Sequence, residues 1–248
     1  MKTIKSILLL VVISVFTLHV TAQQMFTVFQ DNVKPSKAMA YEKIVKEFNK
    51  ACETHNVETQ WLTAAQDDFT YYYITPIDNM AELDKKPMAA MVETMGDTFK
   101  DMVKRIESYT TANGSYIIHS VDELSYKAPE GTDTSNQNYR VWYELHYQAE
   151  NKDEVKESMK AIKAMFEEKN SKEYYNIYHT GFGTMKNYYL VSVAAVDEVD
   201  SATTSKMNRD VLGPDRYEVF NKLMSYIDQY VEHRGMMRTD LSYMPEKG

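Results

Sequence analysis

Glu144 and His146 have the clearest capacity for chemistry in this sequence, because they lie two residues apart in a segment that alternates apolar and polar side chains. The alternation predicts a β-strand over residues 139–148, on which both side chains share one face with Cβ atoms about 7 Å apart. A carboxylate in that position can orient an imidazole for general acid–base catalysis. If the protein is an enzyme, we predict His146 and Glu144 as its catalytic residues. If it is not, they are polar groups hydrogen-bonded across the interior, or His146 lies at a wet rim.

Further side chains on the predicted strands could surround a ligand next to this pair. Trp142 shares the predicted face of Glu144, and Tyr73 and Tyr189 occupy equivalent positions in two similar segments of the chain. A tyrosine combines a large apolar area with one hydroxyl group, which suits an apolar ligand pocket and also suits an ordinary core. The predicted ligand-binding set is Trp142, Tyr73, Tyr189, Asn176, Tyr178, Asn187, Gln30 and Gln60.

The sequence offers little evidence for a metal or a cofactor. Glu144 and His146 do not make a metal site by themselves, because at least one further ligand must come from elsewhere. Cys52 is the single cysteine, so no intrachain disulfide can form, and its apolar neighbours predict a packing role. We predict no metal site, and the sequence leaves the cofactor unknown.

The chain contains two similar halves. Leu124-Ser125-Tyr126 recurs as Leu241-Ser242-Tyr243, 117 positions later, and Tyr72-Tyr73-Ile74 recurs as Tyr188-Tyr189-Leu190, 116 positions later. A period of this length is too long for a solenoid unit, so each copy should be a small domain. We predict a first repeat over residues 23–131, a polar linker over 132–138 and a second repeat over 139–248.

Each copy shows the element order β-α-β-β-α-β, with an extra short helix before the second long one. The last strands are predicted over residues 116–124 and 236–243. This is the ferredoxin-like order, which leaves one sheet face without helices. The predicted fold is therefore of the α+β class, with two tandem ferredoxin-like repeats whose antiparallel sheets pack into one pseudo-dimeric α/β barrel. Such a chain would be a monomer with internal pseudo-twofold symmetry.

The segment Tyr143-Glu144-Leu145-His146-Tyr147 resembles the first strand of NIPSNAP-type proteins. Together with the element order, it makes the chain similar to the dimeric α/β-barrel superfamily (ABM- and NIPSNAP-like members), in a tandem single-chain form. The resemblance implies relatives that include quinol-type monooxygenases, haem-degrading oxygenases, chlorite-dismutase-like haem proteins and simple binders. Haem-degrading members carry a histidine on the helix after the third strand. Residues 78–91 and 195–208 contain no histidine, which argues against haem degradation.

Residues 1–22 have the pattern of a secretory signal peptide. Lys2 and Lys5 precede an apolar run over residues 7–16, and Val20-Thr21-Ala22 suits a cleavage site before Gln23. The apolar run is too short to span the ~30 Å hydrocarbon core of a bilayer. We predict an exported protein, periplasmic or secreted, with no stable membrane anchor after cleavage.

The net charge of the chain limits the kinds of partner that it can bind. The chain has 28 basic and 36 acidic residues, which gives a net charge of −8. A negative surface repels nucleic acid and anionic lipid, so the sequence argues against both as binding partners. We therefore predict an exported protein that binds a small, largely apolar ligand inside the barrel. One alternative is a monooxygenase-like or haem-binding enzyme of the same superfamily. A second alternative is an envelope protein-interaction module.

Overall fold

Eight antiparallel strands close into one barrel in residues 23–245, the part of the chain that the computed structural model describes. The strands are β1 (Met25–Val33), β2 (Leu62–Gln66), β3 (Thr70–Ile77), β4 (Thr110–Ser120), β5 (Tyr139–His146), β6 (Tyr175–Thr180), β7 (Tyr188–Ala195) and β8 (Gln229–Met237). The helices are α1 (Ala38–Thr54), α2 (Ala89–Met95), α3 (Asp97–Tyr109), α4 (Lys152–Glu168), α5 (Glu198–Leu212) and α6 (Arg216–Met224). Short 3-10 turns cover Pro35–Lys37, Met80–Asp84 and Ala149–Asn151.

The strand order around the barrel is β1-β3-β2-β8-β5-β7-β6-β4. Strands β1 to β4, the first half, are therefore contiguous, and so are β5 to β8, the second half. Two seams join the halves: Ala65 of β2 pairs with Met236 of β8, and His119 of β4 pairs with His179 of β6. The predicted α+β class and the closed antiparallel barrel are confirmed.

Each strand has one face towards the helices and one towards the barrel interior. On β5, Leu145 packs in one cluster with Val155 of α4 and Leu223 of α6. Because successive side chains of a strand alternate between the two faces, the neighbours of Leu145 point inwards. The interior face of β5 carries Arg140, Trp142, Glu144 and His146.

Helices α1 and α4 cover the outer faces of the first and second halves. Their buried residues recur at spacings of three and four, which places them on one side of each helix. Helix α1 buries Tyr41, Ile44, Val45, Asn49 and Cys52. Helix α4 buries Val155, Ser158, Met159, Ile162, Met165 and Phe166.

The last strand of each half begins earlier than predicted. Strand β4 starts at Thr110 and β8 at Gln229, whereas the sequence pattern placed these strands at residues 116–124 and 236–243. The exposed segment from Thr111 to Ser115 has turn-like composition, but it pairs with β1 through Asn32 and Ala112. Pairing with an existing strand overrides local turn preference, because it satisfies the backbone hydrogen bonds.

The segments after these strands cross to the opposite half. Tyr126 forms a bridge with Tyr175 of β6, and Tyr243 forms a bridge with Trp61 just before β2. Asn49 of α1 also donates hydrogen bonds to the carbonyls of Leu241 (2.9 Å) and Ser242 (3.1 Å). The two repeated segments thus fasten the halves of the barrel to each other.

The signal peptide and the repeat boundaries stay predictions. The predicted signal peptide, over residues 1–22, lies outside the described residues. The predicted linker over 132–138 falls in the connection between β4 and β5. Among the described helices, none combines the length and the apolar character needed to cross a membrane.

Candidate functional site

A cavity of about 490 Å³ lies between the outer face of the second-half sheet and helices α4, α5 and α6, and we call it the second-half cavity. Its apolar wall consists of Leu145, Met159, Ile162, Phe166, Ile177, Val191, Val193, Leu212, Phe220, Leu223 and Met224. Its polar members are Tyr143, Glu173, Tyr175, Ser205, Asn208, Arg209, Arg216, Tyr217 and Tyr230. This volume and this mostly apolar lining are typical of a small-molecule site.

Glu173 is held at the wall of this cavity by a short chain of hydrogen bonds. The residue lies between α4 and β6, and its Oε2 accepts a hydrogen bond from Nδ2 of Asn208 on α5 at 2.6 Å. Asn208 is buried, and its Oδ1 accepts a hydrogen bond from the hydroxyl of Ser171 at 2.6 Å. Because Ser171 occupies the amide oxygen, the amide NH₂ group is turned towards the carboxylate. Helix α5 therefore fixes the position of Glu173.

The surroundings of Glu173 change the pKa of its carboxyl group. Burial raises the pKa of the Glu173 carboxyl, while hydrogen bonds from Asn208 and Ser205 and the charge of Arg209 oppose the shift. Removal of water from a carboxylate disfavours its charged form. A carboxyl with a raised pKa at an apolar cavity can exchange a proton with a bound molecule.

Arginine and tyrosine side chains complete the polar part of the cavity. Nη1 of Arg216 donates to the carbonyls of Gly213 (2.6 Å) and Arg209 (3.1 Å), and its guanidinium lies 4.2 Å from the ring centroid of Tyr217. The rings of Tyr143 and Tyr230 stack with centroids 5.7 Å apart. Tyr217 and Tyr230 are both exposed, so they lie where solvent meets the cavity.

Glu144 and His146 are in direct contact inside the barrel. Oε2 of Glu144 lies 2.8 Å from Nε2 of His146, and Oε1 of Glu144 lies 3.7 Å from Nε2 of His233 on β8. The ring of Tyr188 packs on that of His146, with centroids 4.7 Å apart. Neither Glu144 nor His146 lines either of the two cavities described here. The two side chains form a hydrogen bond, and the catalytic role of the pair stays a prediction.

Three members of the predicted ligand-binding set point into the barrel. Trp142 pairs with His233 across β5 and β8. Tyr178 meets Phe26 edge to face at 5.9 Å. Nε2 of Gln30 donates to Oδ1 of Asn32 at 2.7 Å. The Phe26–Tyr178 contact joins the two halves, whereas Trp142 and His233 are neighbours within the second half and the Gln30 bond lies within β1.

Among the remaining five members, the expected interior position of Tyr73 and Tyr189 is wrong. The hydroxyl of Tyr73 lies 2.7 Å from that of Tyr41 on α1, and Tyr189 stacks on Tyr147 on the helix side. The predicted alternation of side chains on these strands was wrong by one residue. Successive side chains point to opposite faces of a strand, so Tyr72 and Tyr188 face inwards instead. Asn176 shares the interior face but is exposed; Gln60 and Asn187 are exposed just before β2 and β7.

Several residues of interest were missed from the sequence. Glu173 and Asn208 lie 35 positions apart on different elements, and no short-range pattern connects them. His233 was not among the predicted site residues, and it lies on β8, opposite Trp142. Residues 229–237 read Gln-Tyr-Val-Glu-His-Arg-Gly-Met-Met, which lacks regular apolar–polar alternation, so no local pattern pointed to that strand.

The described residues do not fit a histidine- or cysteine-ligated haem. The residues that line the two cavities include no histidine or cysteine. Nε2 of His179 lies 2.7 Å from the hydroxyl of Tyr147, so that imidazole is already occupied. Burial raises the pKa of the Cys52 thiol to about 11, which keeps it protonated at neutral pH. Within residues 23–245, three or more His, Cys, Asp or Glu side chains nowhere form a group that could hold a metal ion.

Solved structures share this architecture at low sequence identity. A putative monooxygenase from Lactobacillus acidophilus is 12% identical, with 90% of this chain and 96% of that one covered, and a TM-score of 0.52. An anthrone oxidase-like protein is 10% identical over 90% and 94% of the chains, with a TM-score of 0.59. A mutant chlorite dismutase from Candidatus Nitrospira defluvii is 9% identical over 87% and 92%, with a TM-score of 0.51.

This is the dimeric α/β-barrel fold. At these identities the likeness shows the fold alone, because dimeric α/β-barrel proteins with different chemistry share it. No protein-family model and no curated protein sequence matches this chain. Within the dimeric α/β barrel described here, both cavities lie outside the barrel, whereas the sequence suggested a ligand position between the two sheets.

Proposed function

We propose that the protein binds a small, largely apolar molecule in the second-half cavity, and that a hydroxyl group of this molecule donates a hydrogen bond to Glu173. One observation carries the proposal: of the described residues that line this apolar cavity, Glu173 alone is acidic. The Asn208 amide already holds Oε2 of that carboxylate. A few fixed polar groups in an apolar cavity set the orientation of a ligand, while the apolar wall supplies most of the affinity.

The same carboxyl favours a second candidate function, that of a monooxygenase-like enzyme. Burial raises the pKa of Glu173, which makes the carboxylate a better proton acceptor. Glu173 would accept the acidic proton of a phenol or an anthrone, and the substrate anion would then react with dioxygen. Likeness in fold to a putative monooxygenase and an anthrone oxidase-like protein is consistent with this candidate, by analogy alone.

We also propose that the chain is a tandem, single-chain form of the dimeric α/β-barrel proteins, related to the ABM- and NIPSNAP-like members, and that it is exported. Each half has the element order of a ferredoxin-like repeat, and the neighbour order β4-β1-β3-β2 of the first half matches β8-β5-β7-β6 of the second. One chain then supplies both halves, and the protein is a monomer. Light scattering on the purified protein gives its molar mass in solution and so tests whether it is a monomer. The N-terminal residue of the mature protein tests whether the chain is exported and cleaved.

The binding proposal is tested with 2-naphthol and 2-methoxynaphthalene, which share an apolar body but differ in the hydroxyl donor. We expect wild-type protein to bind 2-naphthol more tightly than 2-methoxynaphthalene. Glu173→Gln should lower the affinity for 2-naphthol about tenfold, since a hydrogen bond to a charged group contributes about 1.5–3 kcal/mol. The affinity for 2-methoxynaphthalene should not change. The matched control is Glu168→Gln, an exposed glutamate at the end of α4. Equal affinities for the two probes would contradict the proposal.

Oxygen uptake with anthrone decides between the two candidate functions. Oxidation of anthrone by one dioxygen gives anthraquinone and water. Acceleration over buffer that is lost in Glu173→Gln and kept in Glu168→Gln would support the enzyme. If wild-type protein binds 2-naphthol but does not accelerate oxygen uptake with anthrone, the result supports the binding function instead.

A further inference from the structure

A second cavity, of about 460 Å³, lies on the outer face of the first-half sheet, and we call it the first-half cavity. It is bounded by β1, β3, α1 and α3, and by the segment around Leu83 to Met88. Four of its lining side chains are aromatic: Phe29, Phe48, Trp61 and Tyr73. Trp61 and Phe48 are in contact, with ring centroids 6.2 Å apart. An aromatic wall offers both apolar area and the negative faces of π-systems.

Asp31 is a buried acidic group at this cavity. Its side chain is 2% exposed and belongs to the cavity wall. Oδ2 accepts a hydrogen bond from the hydroxyl of Tyr41 at 2.6 Å, and the Tyr41 hydroxyl lies 2.7 Å from that of Tyr73. Within residues 23–245, the other carboxylate oxygen of Asp31 has no hydrogen-bond partner.

Asp31 also lacks a counter-ion among the described residues. No lysine, arginine or histidine of residues 23–245 forms an ion pair with it, and the causes of its pKa shift include no positive charge. Burial raises the pKa of the Asp31 carboxyl, and the Tyr41 hydrogen bond opposes this shift only in part. A carboxylate removed from water without a positive partner is destabilising, so a cation that entered the cavity would relieve this cost.

The strand position of Asp31 carries an acidic residue in the first half only. The register places Phe29 opposite Tyr73 and Leu145 opposite Tyr189, so Asp31 corresponds to Tyr147 in the second half. The hydroxyl of Tyr147 contacts His179 there, and no carboxylate takes its place. Two arginines, Arg209 and Arg216, line the second-half cavity beside Glu173, whereas no lysine or arginine of the described residues lines the first-half cavity with Asp31, so the two cavities should select different ligands.

We propose that the first-half cavity binds a small, largely apolar organic amine, whose ammonium group pairs with Asp31 and packs against the aromatic wall. The free oxygen of Asp31 accepts the ammonium hydrogen bond, while the Tyr41 hydroxyl keeps the carboxylate in place. Aromatic faces add cation–π attraction to the desolvated charge. This site is independent of the proposed function of the second-half cavity.

The test compares three probes of similar size: 2-phenylethylamine, neutral 2-phenylethanol and anionic 3-phenylpropionate. We expect full-length mature protein to bind the amine at least tenfold more tightly than the alcohol, and the carboxylate least of all. Asp31→Asn should lower amine affinity at least tenfold and leave the alcohol unchanged, whereas exposed Asp101→Asn should change neither. Equal affinity for amine and alcohol, or an unchanged amine affinity in Asp31→Asn, would overturn the proposal.

Two further variants locate the bound amine. Trp142 points into the barrel, so in Trp142→Phe the remaining tryptophan, Trp61, reports on the first-half cavity. The amine should change its fluorescence. Ile106→Trp places a larger side chain in the cavity wall and leaves Asp31 unchanged, and it should abolish amine binding. Retained binding would overturn the site. Glu173→Gln should leave amine binding intact, which separates this proposal from that for the second half.

Discussion

Ser125 and Ser242 hold equivalent positions, and each hydroxyl ties its own segment to the opposite half of the barrel. Oγ of Ser125 accepts a hydrogen bond from the amide of Ile177 at 2.9 Å, and Oγ of Ser242 accepts one from the amide of Thr63 at 2.8 Å. Each hydroxyl also donates to the carbonyl four residues earlier, that of Val121 at 3.0 Å and that of Arg238 at 2.9 Å. Each of the two Leu-Ser-Tyr segments therefore binds to the opposite half of the barrel, and we call the two segments together the clasp.

We expect Ser125→Ala and Ser242→Ala each to lower the free energy of unfolding by about 1–3 kcal/mol, because each leaves a strand amide without its acceptor. Urea denaturation measures the change. Ser225→Ala is the control, since Ser225 is exposed and its hydroxyl bonds only within its own turn. A loss in the control as large as that in the clasp variants would mean that the clasp has no special part in stability.

Asp31→Asn should alter the dependence of stability on pH. Burial raises the pKa of Asp31 above its ordinary value of 3.8, so above pH 3.8 the folded state binds more protons than the unfolded state. The contribution of Asp31 to stability is therefore present below pH 3.8 and is lost as the pH rises through the folded-state pKa. Each unit of pKa difference corresponds to about 1.4 kcal/mol.

An asparagine cannot ionise and still offers an oxygen to the Tyr41 hydroxyl. We expect the stability of Asp31→Asn, relative to wild type, to rise between pH 4 and pH 8, as measured by urea unfolding across that range. Asp101→Asn provides the comparison at an exposed site, where the profile should follow wild type. Parallel profiles for wild type and Asp31→Asn would show that the carboxyl does not titrate abnormally.

Gly235→Ala should open the seam between β2 and β8. A Cβ at this position would overlap the carbonyl oxygen of Ala65 and lie 2.7 Å from Cα of Gln66, and both are backbone atoms that cannot turn aside. We expect a loss of about 3 kcal/mol or more, or failure to fold. Gly114→Ala in β4 meets no atom within 4 Å, and should be tolerated. Thermal unfolding of the two variants gives the comparison.

Substitution of His146 and Glu144 tests whether the interior pair stabilises the fold or belongs to the ligand site. We expect His146→Gln and Glu144→Gln to lower the free energy of unfolding by about 1–3 kcal/mol, because the partner stays buried. Both should leave 2-naphthol affinity unchanged, since neither residue lines the second-half cavity. Gln30→Ala, on the same interior face, should be nearly silent in both measurements. A 2-naphthol affinity that falls in His146→Gln alone would return the ligand site to the barrel interior.

Local patterns in the sequence predicted much of the architecture. Period-two alternation in residues 139–148 predicted a strand with Glu144 and His146 on the same face, and these side chains lie 2.8 Å apart inside the barrel. The apolar spacing of α1 and α4 predicted helices that cover the sheets. Such features depend on neighbours within one or two turns or strand steps, so the sequence contains the information directly.

Local patterns did not predict side-chain orientation where both faces of a strand carry the same type of residue. Tyr71, Tyr72 and Tyr73 are consecutive, so side-chain type could not decide which tyrosine faces the barrel. Pairing of Tyr72 with Gln30, and contact of Tyr73 with α1, settle the phase. One step of register inverts every side chain of a strand, and only the neighbouring strands specify that step.

By itself, the sequence determined the order of elements, the α+β class and the absence of a second cysteine. Only the tertiary structure decided where the cavities lie and which polar groups reach them. Glu173 meets Asn208 across 35 residues, and Tyr41 joins Asp31 to Tyr73, so that three separate elements form one hydrogen-bonded chain. Burial then raises the pKa of both carboxyls, because desolvation depends on every element packed around a group and not on its neighbours in sequence.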